Sequence, residues 1–214
     1  MAEKAESYDG SQIQVLEGLE PVRKRPGMYI GSTGYDGLHH MIKEIADNSI
    51  DEAIAGHATR VEITILNDGG CRVIDNGRGI PVDIHPKTKM STLETVLTVL
   101  HAGGKFGGGG YKVSSGLHGV GSSVVNALST RMVAEVFRDG KTNHIEFETG
   151  KTVKPLEVSK GARIEHGTSI TFYPDPAIFK ETTTFNYSIV RDRVRTMAFL
   201  NKGITMEVVD KRVE

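Results

Sequence analysis

The run from Leu38 to Asp75 reads LHHMIKEIADNSIDEAIAGHATRVEITILNDGGCRVID, and two periodicities follow one another inside it. Leu38, Met41, Ile42, Ile45, Ser49 and Ala53 recur at helical spacing, with Ile50 and Ile54 widening the stripe. An amphipathic helix is therefore predicted from about Leu38 to Ala55, and Gly56 is placed to end it. From Arg60 the period drops to two. Val61, Ile63 and Ile65 share one face of a strand ending at Leu66, Asn67-Asp68-Gly69-Gly70 makes a turn, and Cys71 to Asp75 returns.

Outward from this run the same alternation of helices and hairpins continues. Ser91-x-x-Glu94 has the capping-box form and predicts a helix through Leu100. A glycine-rich stretch runs from Gly103 to Gly121, and a helix is predicted from Ser122 to Leu128 where it ends. Met132 to Phe137 and Asn143 to Phe147 flank Arg138-Asp139-Gly140-Lys141, whose Asp-Gly is a hairpin signal. Thr168 to Tyr173 predicts a strand stopped by Pro174, Tyr187 to Leu200 a helix, and Ile204 to Asp210 a closing strand. Upstream, little periodicity shows before Ile13 to Leu19, and Pro21 and Pro26 are expected to limit regular structure. No repeat is present. Helices interleaved with hairpins predict an α+β fold: a two-layer α/β sandwich on a mixed, mostly antiparallel sheet, not a doubly wound parallel one.

The 214 residues suffice for one large domain or two small ones, and 38% hydrophobic with 25% charged residues is ordinary for a globular core. The formal net charge of -1 gives no global footprint for DNA. Arg23-Lys24-Arg25 is the one dense basic cluster, and it is short. The lone cysteine, Cys71, excludes an internal disulfide framework and suits a reducing compartment. Met1 to Gly10 has no apolar core of a signal peptide, and no apolar run approaches the roughly 18 residues of a membrane span, so a cytoplasmic chain with no membrane contact is expected.

Glycine is the unusual number. Thirteen of the 25 glycines fall between Gly69 and Gly121, and Leu117, Val120, Val124 and Val125 among them argue for a ligand-binding loop system over a linker. Two Gly-Lys-Thr triplets occur, at 140–142 and 150–152, but a P-loop needs a glycine five positions earlier, where Glu135 and Ile145 stand. The dinucleotide fingerprint fails as well: Val82 follows Gly77-Arg-Gly79, and Val124 follows Gly119-Val-Gly121, at the third glycine position. A third scheme is required. Glu44, Asp47, Asn48, Asp51 and Glu52 crowd about two helical turns. They read as a solvated acidic face or, because their neighbours are strongly apolar, as an oxygen-rich patch suited to Mg2+. Asp75-Asn-Gly-Arg-Gly-Ile-Pro81 ends a strand, where a carboxylate could accept from an exocyclic amine; alone, it reads equally well as a turn.

Taken in order, Glu44-Ile-Ala-Asp47-Asn48-Ser-Ile-Asp51-Glu52-Ala53, Asp75-Asn-Gly-Arg-Gly-Ile-Pro81 and Gly116-Leu-His-Gly119-Val-Gly121 resemble the gyrase, heat-shock chaperone, histidine kinase and MutL superfamily of ATPases. Arg23-Lys-Arg-Pro-Gly-Met-Tyr-Ile-Gly31, Leu100-His-Ala-Gly-Gly-Lys-Phe106 and Val124-Val-Asn-Ala-Leu128 look like the ATPase subunits of type II topoisomerases, gyrase B and topoisomerase IV alike. The resemblance runs from about Tyr8 to Arg212. It implies a Bergerat-type fold that binds ATP with Mg2+, with residues 1–20 as an N-terminal dimerisation arm and 21–214 as the ATP-binding domain.

The resemblance also implies roles. Glu44 is similar to the general base and Asn48 to the Mg2+ ligand. Asp75 would take the adenine amino group, helped by Thr168, with Gly79, Ile80 and Pro81 lining the adenine pocket. Lys105 and the backbone of Leu117, His118, Gly119, Val120 and Gly121 would hold the phosphates under a closing lid that contains Tyr111. Arg78, pairing with Glu52, would stand at the pocket mouth, and Arg138 looks like the arginine engaged by aminocoumarin inhibitors. Tyr8 and Ile13 match an arm that reaches into a second copy when ATP dimerises the protein. Thr168 read alone merely starts a strand, Arg138 a solvated hairpin, and His118 would suit a general base. Ser115 stands where the family usually has glycine, which puts the lid geometry at issue.

The implied activity is ATP-driven subunit closure coupled to DNA strand passage, with the A subunit and DNA engaged through segments outside this chain. The family's transducer domain, which supplies a lysine to the γ-phosphate, is expected to follow, so this fragment is expected to bind nucleotide and turn it over slowly. A MutL-like ATPase and a nucleotide-gated dimerisation module remain the other readings.

Overall fold

The computed structural model describes residues 16–102 and 120–213. The helix of the opening run is α3, Tyr35–Ile54, and the hairpin after it pairs β1, Arg60–Ile65, with β2, Cys71–Asp75. α3 starts ahead of its predicted position because Ser32 Oγ accepts the Gly37 N–H at 3.1 Å, a capping contact outside the apolar stripe. Pro21 and Pro26 initiate short helices where they were expected to limit structure: α1, Glu20–Lys24, has proline in its first turn, and Pro26 caps α2, Gly27–Ile30. Proline lacks only the N–H that a first turn leaves unused. α4, Thr92–Thr98, is capped as its sequence predicts, with Ser91 Oγ accepting the Glu94 N–H at 3.1 Å.

The remaining elements are α5, Gly121–Ala127; β3, Ser129–Arg138; β4, Lys141–Glu148; β5, Lys151–Lys160; β6, Gly167–Pro174; α6, Tyr187–Leu200; and β7, Thr205–Asp210. The strands form one seven-stranded sheet in the order β5-β4-β3-β6-β2-β1-β7. Among the described strands only β1 and β7 run parallel; the other pairs are antiparallel, as expected for a mixed, mostly antiparallel sheet. β5 carries no predictive pattern because it is an edge strand, exposed at alternate positions and interrupted by Pro155, a residue that edges tolerate.

Cross-strand register explains the two layers. Ile63, Val73, Ile170, Ala134 and Ile145 line up across five strands, as do Ile65, Cys71, Phe172, Met132 and Phe147. All ten are buried in the core shared with Leu38, Met41, Ile42 and Ile45 of α3 and Val124 and Val125 of α5. The opposite face is polar, with Arg131 bonded to Glu146 and Arg72 to Glu62. Burial raises the Cys71 thiol well above its usual range, so it serves as a small apolar core residue.

α6 is tied to α3 by His39. Its Nε2 accepts the N–H of Asn186, the α6 N-cap, at 2.8 Å, and its Nδ1 lies 2.8 Å from the Tyr35 carbonyl. These partners select the neutral Nδ1–H tautomer. Burial holds His39 below its ordinary value, aided by Arg193 and opposed by Tyr35 and Asp36. The unfolded chain therefore takes up the proton first as pH falls below about 6.5, and stability is lost on the acid side. The Tm of the wild type should drop more on acidification from pH 7 than that of His39→Gln, which keeps an acceptor for Asn186. Parallel melting curves for the two proteins would refute the link.

Candidate functional site

A third row crosses the sheet beside the two apolar ones: Val61, Asp75, Thr168, Val136 and Asn143. Here the core turns polar. Asp75 is only 7% exposed, at the end of β2. Its Oδ2 accepts from Ser49 Oγ on α3 at 2.7 Å, and its Oδ1 accepts the Gly77 N–H at 2.9 Å and the Thr168 N–H at 3.4 Å. Burial pushes the carboxyl above its ordinary range, against the pull of Ser49 and Gly77, and the Glu52 charge adds to the rise. A carboxylate offers about four lone-pair sites, so capacity remains for one more donor. Thr168 Oγ1 accepts the Ile80 N–H at 3.2 Å, which leaves its hydroxyl proton to be donated.

The turn after Asp75 forms one rim. Gly79 has φ +76°, and a Cβ there would meet Val136 Cγ1 at 2.9 Å and the Gly167 carbonyl at 3.0 Å, so only glycine lets the turn lie against β3 and β6. Arg138 donates from Nη1 to the Gly79 carbonyl at 3.0 Å, and His166 Nδ1 lies 2.6 Å from the Gly77 carbonyl. Arg78 grips Glu52 of α3 with Nη2 on Oε1 at 2.7 Å and Nε on Oε2 at 3.1 Å. Ile80 is half-buried against the core and Pro81 is exposed.

One and two turns of α3 before Glu52, Asn48 and Glu44 face α5. Asn48 Nδ2 donates to Ser122 Oγ at 2.8 Å and to the Glu44 carbonyl at 3.3 Å, which ties the residue to both helices. Gly121 sits so close to the Glu44 carboxylate that a Cβ there would collide with Oε2. His40 Nε2 lies 2.9 Å from Glu44 Oε1. The like-charged crowding of this helix is relieved residue by residue: Asp47 pairs with Lys43, Glu44 with His40 and Glu52 with Arg78. Burial still raises the Asp47 carboxyl above its usual range, with Lys43 pulling the other way.

No group of three or more His, Cys, Asp or Glu residues placed to hold a metal occurs among the described residues. Mg2+ needs no such cage, since it takes few protein oxygens and completes its shell with phosphate and water. Asn48, one helical turn after Glu44 on α3, carries an oxygen ligand of the kind such a cation takes.

Asp75, Thr168, Gly79, Ile80, Glu52, Arg78 and Arg138 thus gather around one turn, and Glu44, Asn48, Val120 and Gly121 around the α3–α5 contact. Tyr8, Ile13, Lys105, Tyr111, Ser115, Leu117, His118 and Gly119 lie outside the described residues. Sequence reasoning assigned no role to Ser49, Ser122, His40 and His166. Ser49 carried a signal, being the one hydroxyl on the apolar stripe of α3, and so did His40, four residues before Glu44 on the same helix; Ser122 and His166 acquire partners only through folding.

The family model described as histidine kinase-, DNA gyrase B-, and HSP90-like ATPase matches residues 33–178. The DNA gyrase B protein of Streptococcus pyogenes serotype M1 is 58% identical over 98% of this chain and 32% of its own length. Gyrase B of Enterococcus faecalis is also 58% identical, over 99% of this chain and 33% of its length. The chain spans about a third of these curated relatives. Among solved structures, the 43K ATPase domain of Thermus thermophilus gyrase B in complex with an aminocoumarin superposes with a TM-score of 0.81 at 44% identity, over 91% of this chain and 49% of that one. With a match that takes in α3, the Asp75 turn and β6, the chain belongs to the histidine kinase-, DNA gyrase B- and HSP90-like ATPase family.

Proposed function

We propose that this chain binds ATP with Mg2+ and is the ATPase portion of a DNA gyrase B protein, hydrolysing ATP to drive subunit closure and DNA strand passage. One observation carries the reading: a buried carboxylate at the end of β2 is hydrogen-bonded to the helix that also bears Glu44 and Asn48, through Ser49 at 2.7 Å. Purine recognition and phosphate chemistry then share one scaffold.

Asp75 accepts a hydrogen bond from the adenine amino group with its remaining lone pair, and Thr168 supplies a hydroxyl beside it. Gly79, Ile80 and Pro81 form the wall along which a flat ring lies. Glu44 takes a proton from the attacking water, and its contact with His40 orients the carboxylate. Asn48 holds Mg2+ by its amide oxygen. The cation, when bound, neutralises charge on the phosphate oxygens. Lys105 and the backbone from Leu117 to Gly121, with Tyr111, are assigned to the phosphates by the family pattern. The Arg78–Glu52 pair and Arg138 form the pocket mouth and the contact for ATP-competitive aminocoumarins, in keeping with the compound bound to the Thermus thermophilus relative.

Tyr8 and Ile13, in the arm of residues 1–20, would meet a second copy of the chain. The A subunit and DNA would be engaged elsewhere in the longer protein. No described helix is long and apolar enough to cross a membrane, and the free buried Cys71 fits the reducing cytoplasm.

Asp75→Asn tests the purine contact. Because the Asp75 pKa is raised, the folded chain holds that proton more tightly than the unfolded chain, and the ionised carboxylate costs stability at neutral pH. The substitution should weaken a non-hydrolysable ATP analogue about ten- to a hundred-fold in calorimetry. The Tm should hold or rise; unchanged affinity would refute the assignment.

Glu44→Gln separates binding from chemistry. Affinity for the analogue should stay within a few-fold, while turnover by the longer protein containing this chain should fall about 10²- to 10⁴-fold. Undiminished turnover would favour a nucleotide-gated module over an enzyme.

A further inference from the structure

Among the described residues, Arg23 bonds to none of the side chains that form the site, yet it grips the far end of the helix that shapes it. Its Nη1 donates to the carbonyl of Ala127, the last residue of α5, at 2.7 Å, and its Nη2 to Asp175 Oδ2 at 2.7 Å. A cation on the last carbonyls of a helix is favoured by the unpaired oxygens there, and both bonds are charge-assisted. The opposite end of α5 presents Ser122 to Asn48 and brings Gly121 against Glu44.

Between these ends α5 has no slack. Ser122 to Ala127 are all buried, and Asn126 Nδ2 is bonded to the Leu97 carbonyl at 2.8 Å. Close-packed interiors transmit a displacement more readily than they absorb it.

We propose that Arg23 is a positioning residue for the cation-and-phosphate end of the site, acting through α5 on Asn48 and Glu44. The proposal rests on the nucleotide reading above. It gives the Arg-Lys-Arg-Pro-Gly-Met-Tyr segment a role that purine contacts do not supply. Asp175 holds the Leu128 carbonyl with its own backbone N–H at 3.0 Å whatever stands at position 23, so replacing Arg23 removes the side-chain clamp while that link between β6 and α5 remains.

The test compares two ligands of the same protein. Adenosine reads the Asp75 end alone; a non-hydrolysable ATP analogue with Mg2+ reads both ends. The double variant Arg23→Met/Asp175→Asn removes both charges together and leaves no buried carboxylate stranded. In calorimetry it should bind adenosine as the wild type does and the Mg2+ analogue about ten-fold more weakly, the scale seen when a residue behind a metal ligand is lost.

Arg23→Lys keeps the charge opposite Asp175 but lacks the fork that reaches two acceptors at once. It should show the same selective loss to a smaller extent, and it provides the measurement should the double variant not fold. Equal weakening of both ligands, or an unchanged analogue affinity in the variants that fold, overturns the proposal. Adenosine binding by the wild type that is indifferent to Asp75→Asn would instead overturn the nucleotide reading itself.

Discussion

The 2.7 Å hydrogen bond from Ser49 to Asp75 joins the helical layer to the sheet where the core turns from apolar to polar. An ionised carboxylate with 7% exposure is tolerable only if nearly every lone pair is met. Two backbone N–H groups from the Gly77 turn and β6, and one hydroxyl from α3, meet that need. Asp75 therefore dictates how close α3 must lie to β2, how tightly the turn after β2 must fold, and why β6 must be its neighbour. Gly79, in the same turn, lies close against Val136 and Gly167.

From that junction the two halves of the site are set out along a single helix. One turn of α3 carries Ser49 and Glu52, which serve the purine end and its rim; the preceding turns carry Glu44 and Asn48, which serve the cation. A helix so rich in carboxylates is unstable in isolation. It is held from within and without: His40 and Lys43 of the same helix and Arg78 from the turn after β2 each take one acid, and the apolar stripe is buried against β1 and β2. α5 closes the arrangement from the other side, with its first residues on α3 and its last carbonyl on Arg23.

Long periodic elements were legible before any coordinates. α6 spans the predicted Tyr187–Leu200, β2 the predicted Cys71–Asp75, and the capping box at Ser91 forms as its pattern requires. These elements satisfy their hydrogen bonds locally or with an adjacent strand, so their signals are local too. β5 left no such trace, because an edge strand that buries none of its side chains fully needs no apolar residues at its half-buried positions. α1 and α2 were hidden by prolines, which read as breakers until their neighbours fix them at first-turn positions.

The same distinction separates the parts of the site. Asp75, Glu44, Asn48, Gly79 and Thr168 are singled out by the ordered motifs that carry the family resemblance; read alone, the Asp75 segment is equally a turn and Thr168 only starts a strand. The partners that give those residues their properties could not be so named. Ser49 to Asp75 spans 26 positions, Asn48 to Ser122 spans 74, and Arg23 to Asp175 spans 152. Short-range periodicity tells which face of an element is apolar and which atoms it offers. Which distant atom arrives there, and so how strongly a carboxylate is desolvated or a helix is held, depends on packing the whole sheet against its helices.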